Sequence, residues 1–209
     1  MSENITRFPM RLSTRDGAVD MTHGAGGRSM AQLIEELFVK HLDNDLLRQG
    51  NDQAAFDVSA GRMVMSTDGH VISPLFFPGG DIGSLSVHGT INDVAMSGAR
   101  PLYLSAGFIL EEGFPLADLQ RIVASMGRAA RAAGVPVVTG DTKVVEKGKG
   151  CPLPINTTGL NKLRRISLRH EHTKPYQANT GTAGIHHHHS NDTRRESGRI
   201  TLSHCGAGV

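Results

Sequence analysis

Cysteine is scarce in this sequence, and long apolar runs are absent from it. The 209 residues contain two cysteines, Cys151 and Cys205, and no CxxC pair, which excludes a disulfide-built scaffold and favours a reducing compartment. No run of about 18 apolar residues occurs, which excludes a membrane-spanning helix. Residues 1–17 lack the apolar core of a signal peptide. We therefore expect a soluble, cytoplasmic protein.

A strong net charge is also lacking, and the formal value of +2 argues against a dedicated nucleic-acid binder. The charge is uneven, because residues 1–160 carry 14 Lys/Arg and 17 Asp/Glu, whereas residues 161–209 carry 8 and 3. The second part also has no Phe and no lasting hydrophobic period. We expect an N-terminal extension at 1–20, a folded domain at 21–160, and a tail at 161–209 that is disordered or translated out of frame.

Apolar residues at regular spacing predict alternating helices and strands. Residues 29–42 carry a helical apolar stripe that starts at Ser29, a natural N-cap. Residues 113–134 predict a second amphipathic helix, with Pro115 in its first turn and Gly134 at its end. Four short apolar runs predict strands: 62–68, 102–110, 135–141 and 153–159. This alternation predicts a mixed α/β layer structure.

The segment VHGTINDVAMSGARP, residues 87–101, predicts a third helix, and a buried one. Its apolar stripe consists of Val87, Ile91, Val94 and Ala95. Asn92 and Asp93 lie in the middle of this segment, among small residues. A buried carboxylate needs a partner, and a metal ion is a suitable one for Asp93.

Four aspartates have a sequence context that is typical of Mg²⁺ and phosphate sites: Asp52, Asp68, Asp93 and Asp141. Asp68 and Asp141 each end a predicted strand beside a glycine. Mg²⁺ prefers oxygen ligands and usually takes one or two carboxylates together with phosphate oxygens. A simple turn or cap role fits Asp68 and Asp141 equally well, because Asp is favoured in turns.

The stretch HGAGGRSM, residues 23–30, is rich in glycine and runs into the first predicted helix. Backbone N–H groups at a helix start bind anions, so Gly24, Gly26 and Gly27 are candidates for holding phosphate. A flexible turn is equally consistent with the spacing, and no P-loop motif occurs.

Lys143 follows Asp141 by two residues, so the two side chains share one face of a strand. A lysine beside a metal-bound phosphate can neutralise charge or move a proton, which makes Lys143 the candidate catalytic residue. The alternative is an ordinary surface lysine, as we expect for Lys147 and Lys149.

Taken together, these motifs resemble the N-terminal domain of the HypE family of hydrogenase maturation factors, in the aminoimidazole-ribotide-synthetase-like (PurM-like) superfamily. The resemblance runs from about Met21 to Gly159, and its most specific stretches are PLFFPGGDIG, ILEEGFP and GDTKVV. Selenophosphate synthetase, thiamine-monophosphate kinase and the purine enzymes share the scattered aspartates. The absence of a cysteine before position 151 counts against selenophosphate synthetase.

The resemblance implies an α/β (α+β) domain with a mixed sheet and flanking helices. It also implies a homodimer whose sheets pair into a barrel, with ATP and Mg²⁺ in a groove at the interface. By this resemblance, Lys143 lies near the reacting group and the Gly24–Gly27 loop covers the phosphates. The residues implied to hold the metal and the triphosphate are Asp52, Asp68, Asp93 and Asp141, with Asn92 as a further cofactor-binding residue.

The implied reaction is an ATP-dependent dehydration. The carbamoyltransferase HypF delivers a carbamoyl group, which a C-terminal cysteine of the family carries as a thiocarbamate. ATP activates the carbamoyl oxygen, phosphate leaves and a thiocyanate remains, because an amide oxygen leaves poorly until it is phosphorylated. The cyano group then passes to iron on the HypC–HypD scaffold.

The sequence departs from the family after residue 160. The family continues with a second α/β domain and ends in the carrier cysteine, and neither is recognisable here. Cys205 lies in SHCGAGV, which does not match the family's terminal motif, and Cys151 stands where the family usually has Asp. We assign no role to either cysteine or to the four-histidine run at 186–189. Two alternatives therefore stay open, a non-catalytic ATP–Mg²⁺-binding dimerisation module and another PurM-like kinase or synthetase.

Overall fold

A four-stranded mixed sheet is the centre of the computed structural model, which describes residues 11–149 and 153–163. The strands in chain order are Met63–His70 (β1), Phe76–Phe77 (β2), Gly80–Asp81 (β3), Ala99–Glu111 (β4), Val137–Val145 (β5) and Ile155–Leu163 (β6). The main sheet has the order β1-β6-β4-β5, and β2 and β3 form a separate hairpin. β4 and β5 are parallel, whereas β6 is antiparallel to both of its neighbours.

The helices lie before and between these strands. They are Arg28–Leu33 (α1), a π-helical segment Ile34–Val39, Lys40–Leu42 (α2), Ile82–Met96 (α3) and Leu116–Ala133 (α4), with 3₁₀ turns at Met21–Gly24 and Leu47–Gln49. The predicted mixed α/β class is confirmed. β6 continues through Leu163, three residues beyond the expected end of the domain at residue 160.

The first helical stretch begins at Arg28, one residue before the predicted start. Gly27 has extended backbone angles and is the N-cap, so the expectation that Ser29 caps this helix is wrong. Ser29 is the second residue of the helix, so it lies inside the first turn and not at the N-cap position. The stripe of apolar residues is confirmed in part, because Leu33, Leu37 and Phe38 are buried, whereas Ile34 is 40% exposed.

The third predicted helix is α3, and its start is set by Asp81. The Asp81 carboxylate accepts a hydrogen bond from Ser84 N, and Ser84 Oγ accepts one from Asp81 N, which is a capping box. Val87 and Val94 are buried as expected. Asn92 and Asp93 are exposed, so the expectation of a buried carboxylate is wrong. The predicted stripe was also partly wrong, because Ala95 is exposed, while the small residues Ser86 and Thr90 are buried.

α4 confirms the second amphipathic helix. Pro115 is its N-cap residue, immediately before the first turn, and Gly134 ends it in the left-handed conformation at φ 66°. α4 packs against α3, and α3 lies across β1, β6 and β4. The largest fully buried side chains of this layer include Ile82, Leu104, Leu110, Leu119, Ile122, Met126 and Ile155.

The opposite face of the sheet has no helix of the described chain upon it, and we call it the open face. Ala106 and Phe108 of β4 point into the core, whereas the alternate residue Ile109 is 43% exposed. Met65 of β1 is 72% exposed on the same face. No described helix is long and apolar enough to cross a membrane.

The expected extension and tail fall largely outside the described residues. Residues 1–10 and 164–209 are among those not described, and with them Cys205 and the four-histidine run. Cys151 also lies outside the described ranges. The division of the chain at residues 20 and 160 thus stays a prediction.

Candidate functional site

Asp141 and Lys143 lie together on β5, at one edge of the sheet. Lys143 Nζ is 3.7 Å from Asp141 Oδ2, and the two side chains are 68% and 66% exposed. The register pairs Asp141 with Gly107 and Lys143 with Ile109, so both side chains project from the open face. Solvent screens such an exposed pair, which leaves the ammonium free to meet another anion.

The glycine-rich turn contacts the same strand. A Cβ built on Gly24 would lie 2.9 Å from Val144 N, so only glycine lets the 3₁₀ turn approach β5 this closely. Gly26 has a φ of 74°, and Gly27 is the N-cap of α1. The turn therefore lies beside the strand that carries Asp141 and Lys143.

Asp52 joins this group through its backbone. The Asp52 carbonyl accepts a hydrogen bond from Thr139 Oγ1 at 3.3 Å, which ties the loop after Leu47–Gln49 to β5. Asp52, Thr139 and Asp141 line one cavity of about 260 Å³, whose other wall is apolar and comes from α1 and the π-helical segment. Asp52 and Asp141 thus line one cavity, and their binding of a common ligand stays a prediction.

Asp68 and Asp93 belong to a second group, at the other edge of the sheet. Asp68 Oδ2 is 3.4 Å from His70 Nε2, and their side chains are 37% and 7% exposed. Burial lowers the pKa of His70, and the charges of Asp68 and Asp93 oppose that shift. The two carboxylates therefore both act electrostatically on this one imidazole.

His70 is a residue that the sequence analysis missed. It follows Asp68 by two positions on a strand, so the spacing places both side chains on one face. The same alternation that linked Asp141 to Lys143 was available for this pair in STDGH. It was overlooked because the Gly69–His70 stretch reads as a turn after the strand, whereas β1 continues to His70.

The register places the two groups on opposite faces. Asp68 pairs with Thr157, and Thr157 pairs with the buried Ala106, so Asp68 lies on the helix-covered face. Asp141 lies on the open face at the far edge. Within the described ranges there is no cluster of three or more His, Cys, Asp or Glu that could hold a metal ion. Within one chain, the four predicted metal ligands thus lie in two separate groups.

A groove crosses the open face between these edges. One row of paired residues runs across all four strands, Gly69, Asn156, Gly107 and Asp141. The two glycines have no side chains, and the cavity above this end of the sheet has a volume of about 410 Å³ and includes Lys143 in its lining. The lining of this cavity thus runs from Gly69 of β1 to Asp141 and Lys143 of β5.

The family model for the N-terminal domain of AIR synthase-related proteins matches residues 50–160. The chain belongs to this family. The AIR synthase-related domain here is 74% identical over 150 residues to the carbamoyl dehydratase HypE of Cupriavidus necator, a match that covers 71% of this chain and 43% of that protein. It is 57% identical over 189 residues to HypE of Rhizobium leguminosarum, covering 89% of this chain and 54% of that protein.

Solved structures agree with this assignment. A crystal structure of the hydrogenase maturation protein HypE in complex with ATP has a TM-score of 0.67 and 56% identity, over 69% of this chain and 43% of that one. The resemblance to HypE is therefore confirmed for the N-terminal part of that protein. The chain spans about half the length of the curated relatives that it matches.

Proposed function

We propose that this chain provides the ATP- and Mg²⁺-binding part of a cytoplasmic carbamoyl dehydratase for [NiFe]-hydrogenase maturation. The high identity with HypE carbamoyl dehydratases carries the proposal. The similarity to a HypE structure that contains ATP supports the nucleotide part of it. The reaction converts a cysteine-bound carbamoyl group to a thiocyanate, with HypF as donor and the HypC–HypD scaffold as acceptor.

The donor set of the chain fits Mg²⁺. Asp68 and Asp93 come together at His70, and Asp52 and Asp141 share the cavity beside β5. Each group offers no more than two carboxylates, which is the number that Mg²⁺ usually takes when phosphate oxygens supply the rest. Bound there, Mg²⁺ would neutralise the charge of the phosphates.

A homodimer would explain why the ligands are divided. Met65 and Ile109 are exposed on the open face, where burial of apolar surface would favour association. β1 and β5 are the two edges of the sheet, so an arrangement that joins β1 of one copy to β5 of the other brings the two acidic groups to a shared boundary, with Asp68 on its helix-covered side and Asp141 on its open side. We propose that the nucleotide binds at this boundary.

The chain's own residues have distinct roles in this scheme. The N–H groups of the Gly24–Gly27 turn donate hydrogen bonds to phosphate oxygens. Lys143 places its ammonium at the oxygen that leaves the carbamoyl carbon, where it stabilises developing negative charge. Asn92, exposed beside Asp93 on α3, donates a further hydrogen bond to the nucleotide.

A second candidate function is a module that binds ATP–Mg²⁺ and dimerises without catalysis. It is favoured by one observation, that within the described ranges the acidic residues form no cluster of three or more that could hold a metal ion in a single chain. A PurM-like kinase or synthetase is a third candidate, since the acidic residues and the glycine-rich turn suit phosphoryl transfer to a small molecule.

Calorimetric titration of the purified chain with ATP, with and without Mg²⁺, tests the proposal first. We expect Mg²⁺-dependent binding that Asp68→Asn and Asp141→Asn weaken. The exposed Asp57→Asn serves as matched control. Absence of ATP binding by the wild-type chain would overturn the proposed function.

The three candidates are then separated by one reaction. The chain is incubated with Mg²⁺–ATP and a cysteine peptide carrying a thiocarbamate, and the products are analysed by mass spectrometry. Loss of one water from the peptide with release of phosphate supports the dehydratase. Binding without turnover supports the module, and a phosphorylated small molecule supports the kinase.

A further inference from the structure

A buried hydroxyl cluster holds the imidazole of His70 on the helix-covered side of β1. His70 Nε2 lies 3.3 Å from Thr157 Oγ1, and Thr157 Oγ1 lies 3.1 Å from the carbonyl oxygen of Ser86. Thr90 Oγ1 is 2.5 Å from the same Thr157 oxygen. All four residues are buried, and they join β1, β6 and α3.

The proton positions in this cluster follow from its acceptors. The Ser86 carbonyl can only accept, so Thr157 donates its single hydroxyl proton to it. Thr157 Oγ1 must then accept from Thr90 and from His70. His70 Nε2 is therefore the protonated ring nitrogen, and its single N–H faces two acceptors, Thr157 Oγ1 at 3.3 Å and Asp68 Oδ2 at 3.4 Å.

A glycine makes room for this pair. A Cβ built on Gly89 of α3 would lie 2.8 Å from His70 Cε1 and 3.2 Å from Asp68 Oδ2. Glycine in a helix interior costs about 1 kcal/mol relative to alanine. Its place here is explained by the imidazole and carboxylate that pass directly beneath the helix.

We propose that His70 is a positioning residue, which holds the Asp68 carboxylate in place for the metal–nucleotide by sharing its Nε2–H between Thr157 Oγ1 and that carboxylate. This inference rests on the proposed function, because it assigns Asp68 to that site. Asp68 is 37% exposed, whereas the imidazole beside it is 7% exposed and is held by Thr157. Outer partners of this kind orient ligating carboxylates and alter metal affinity.

Three variants test the role. His70→Leu removes the N–H and keeps the bulk, His70→Gln restores an N–H near the position of Nε2, and Gly89→Ala displaces the pair while it favours the helix. His88→Leu is the matched control, since His88 lies exposed on the adjacent α3. Thermal unfolding of each variant establishes that it is folded.

The measurements are the apparent affinity for Mg²⁺ at fixed ATP and the affinity for ATP without metal. We expect His70→Leu and Gly89→Ala to weaken Mg²⁺ binding by about 10-fold or more. His70→Gln should recover most of the loss, and metal-free ATP binding should not change. A purely structural role would lower both affinities together and would not be rescued by glutamine.

Long-range ¹H–¹⁵N spectra give an independent readout without metal. We expect the Nε2-protonated tautomer of His70 in the wild-type chain. An Nδ1-protonated ring, or unchanged Mg²⁺ affinity in a folded His70→Leu chain, overturns the inference alone. Failure of the wild-type chain to bind Mg²⁺–ATP overturns the proposed function and this inference with it.

Discussion

Thr90 and Thr157 join α3 to β6, an interior strand of the sheet, through hydroxyl oxygens that lie 2.5 Å apart. Both residues are almost fully buried, at 0% and 1% exposure. The contact joins the helix layer to the sheet beside His70, the residue that contacts Asp68 of the second acidic group. It therefore couples the packing of the helix to the geometry of the site.

Replacing Thr157 by Val should destabilise the fold, because it preserves shape and leaves buried polar groups without their partner. We expect a decrease in the free energy of unfolding of about 1–3 kcal/mol, measured by urea denaturation. Thr90→Val combined with Thr157→Val should cost less than the sum of the single changes, since the pair acts together. Strict additivity would contradict the coupling.

Lys143→Met should separate function from stability. The side chain is 68% exposed, and its ion-pair partner among the described residues is an exposed carboxylate, so the free energy of unfolding should change by less than about 0.5 kcal/mol. ATP-dependent water loss from the thiocarbamate peptide should nevertheless fall sharply. Lys147→Met is the matched control on the following turn, and an equal loss of activity there would argue against a specific role for Lys143.

Stability should depend on pH through two histidines. Burial lowers the pKa of His41, assisted by the charges of Lys40, Arg131 and Arg128, and burial also lowers the pKa of His70. The unfolded chain then binds protons more readily than the folded chain. The free energy of unfolding should fall as the pH drops below about 6.5, the ordinary pKa of His.

Urea titrations between pH 8 and pH 5.5 measure the slope of the free energy of unfolding against pH. His41 Nε2 is buried and has no hydrogen-bond partner in the described part of the chain, so protonation there gains no compensating contact. His41→Gln should flatten the slope, and the remainder should reflect His70. A slope that the substitution leaves unchanged would exclude His41 as a contributor.

A charge introduced on the open face should prevent self-association. Met65→Asp places a carboxylate at a position that is 72% exposed on β1, where a second sheet would bury it. We expect sedimentation to show a dimer for the wild-type chain and a monomer for this variant. Met96→Asp is the control, because Met96 is 87% exposed but lies at the end of α3. Dissociation by Met96→Asp alone would place the interface elsewhere.

Sequence patterns predicted the α/β architecture well where one face was clearly apolar. The stripe of α4 defined that helix to within three residues at its start and one at its end. α3 was harder, because its small residues do not distinguish the buried side from the exposed side. Its start could have been found from the Asp81 and Ser84 capping pair, whereas the exposure of Asp93 depends on how α3 rests on β6.

The candidate site was predictable residue by residue but not as an arrangement. Alternation on β5 correctly put Asp141 and Lys143 on one face. Asp68 and Asp141 are separated because they lie on different strands and on opposite faces of the sheet. The local spacing of residues in the sequence predicts neither the strand order nor the face. His70 was within reach of the same alternation once β1 was known to extend to it.

The order of strands also has a consequence for how the chain folds as it leaves the ribosome. β6 is the last described strand along the chain, yet it lies between β1 and β4, and β1 has no other partner in the main sheet. Until residues 155–163 emerge, β1 is an unpaired strand about 85 residues behind, and β4 and β5 are the only two strands of the main sheet that can pair. Insertion of β6 thus completes the sheet in one late step, so nascent chains that stall before residue 155 should be the species most prone to aggregate.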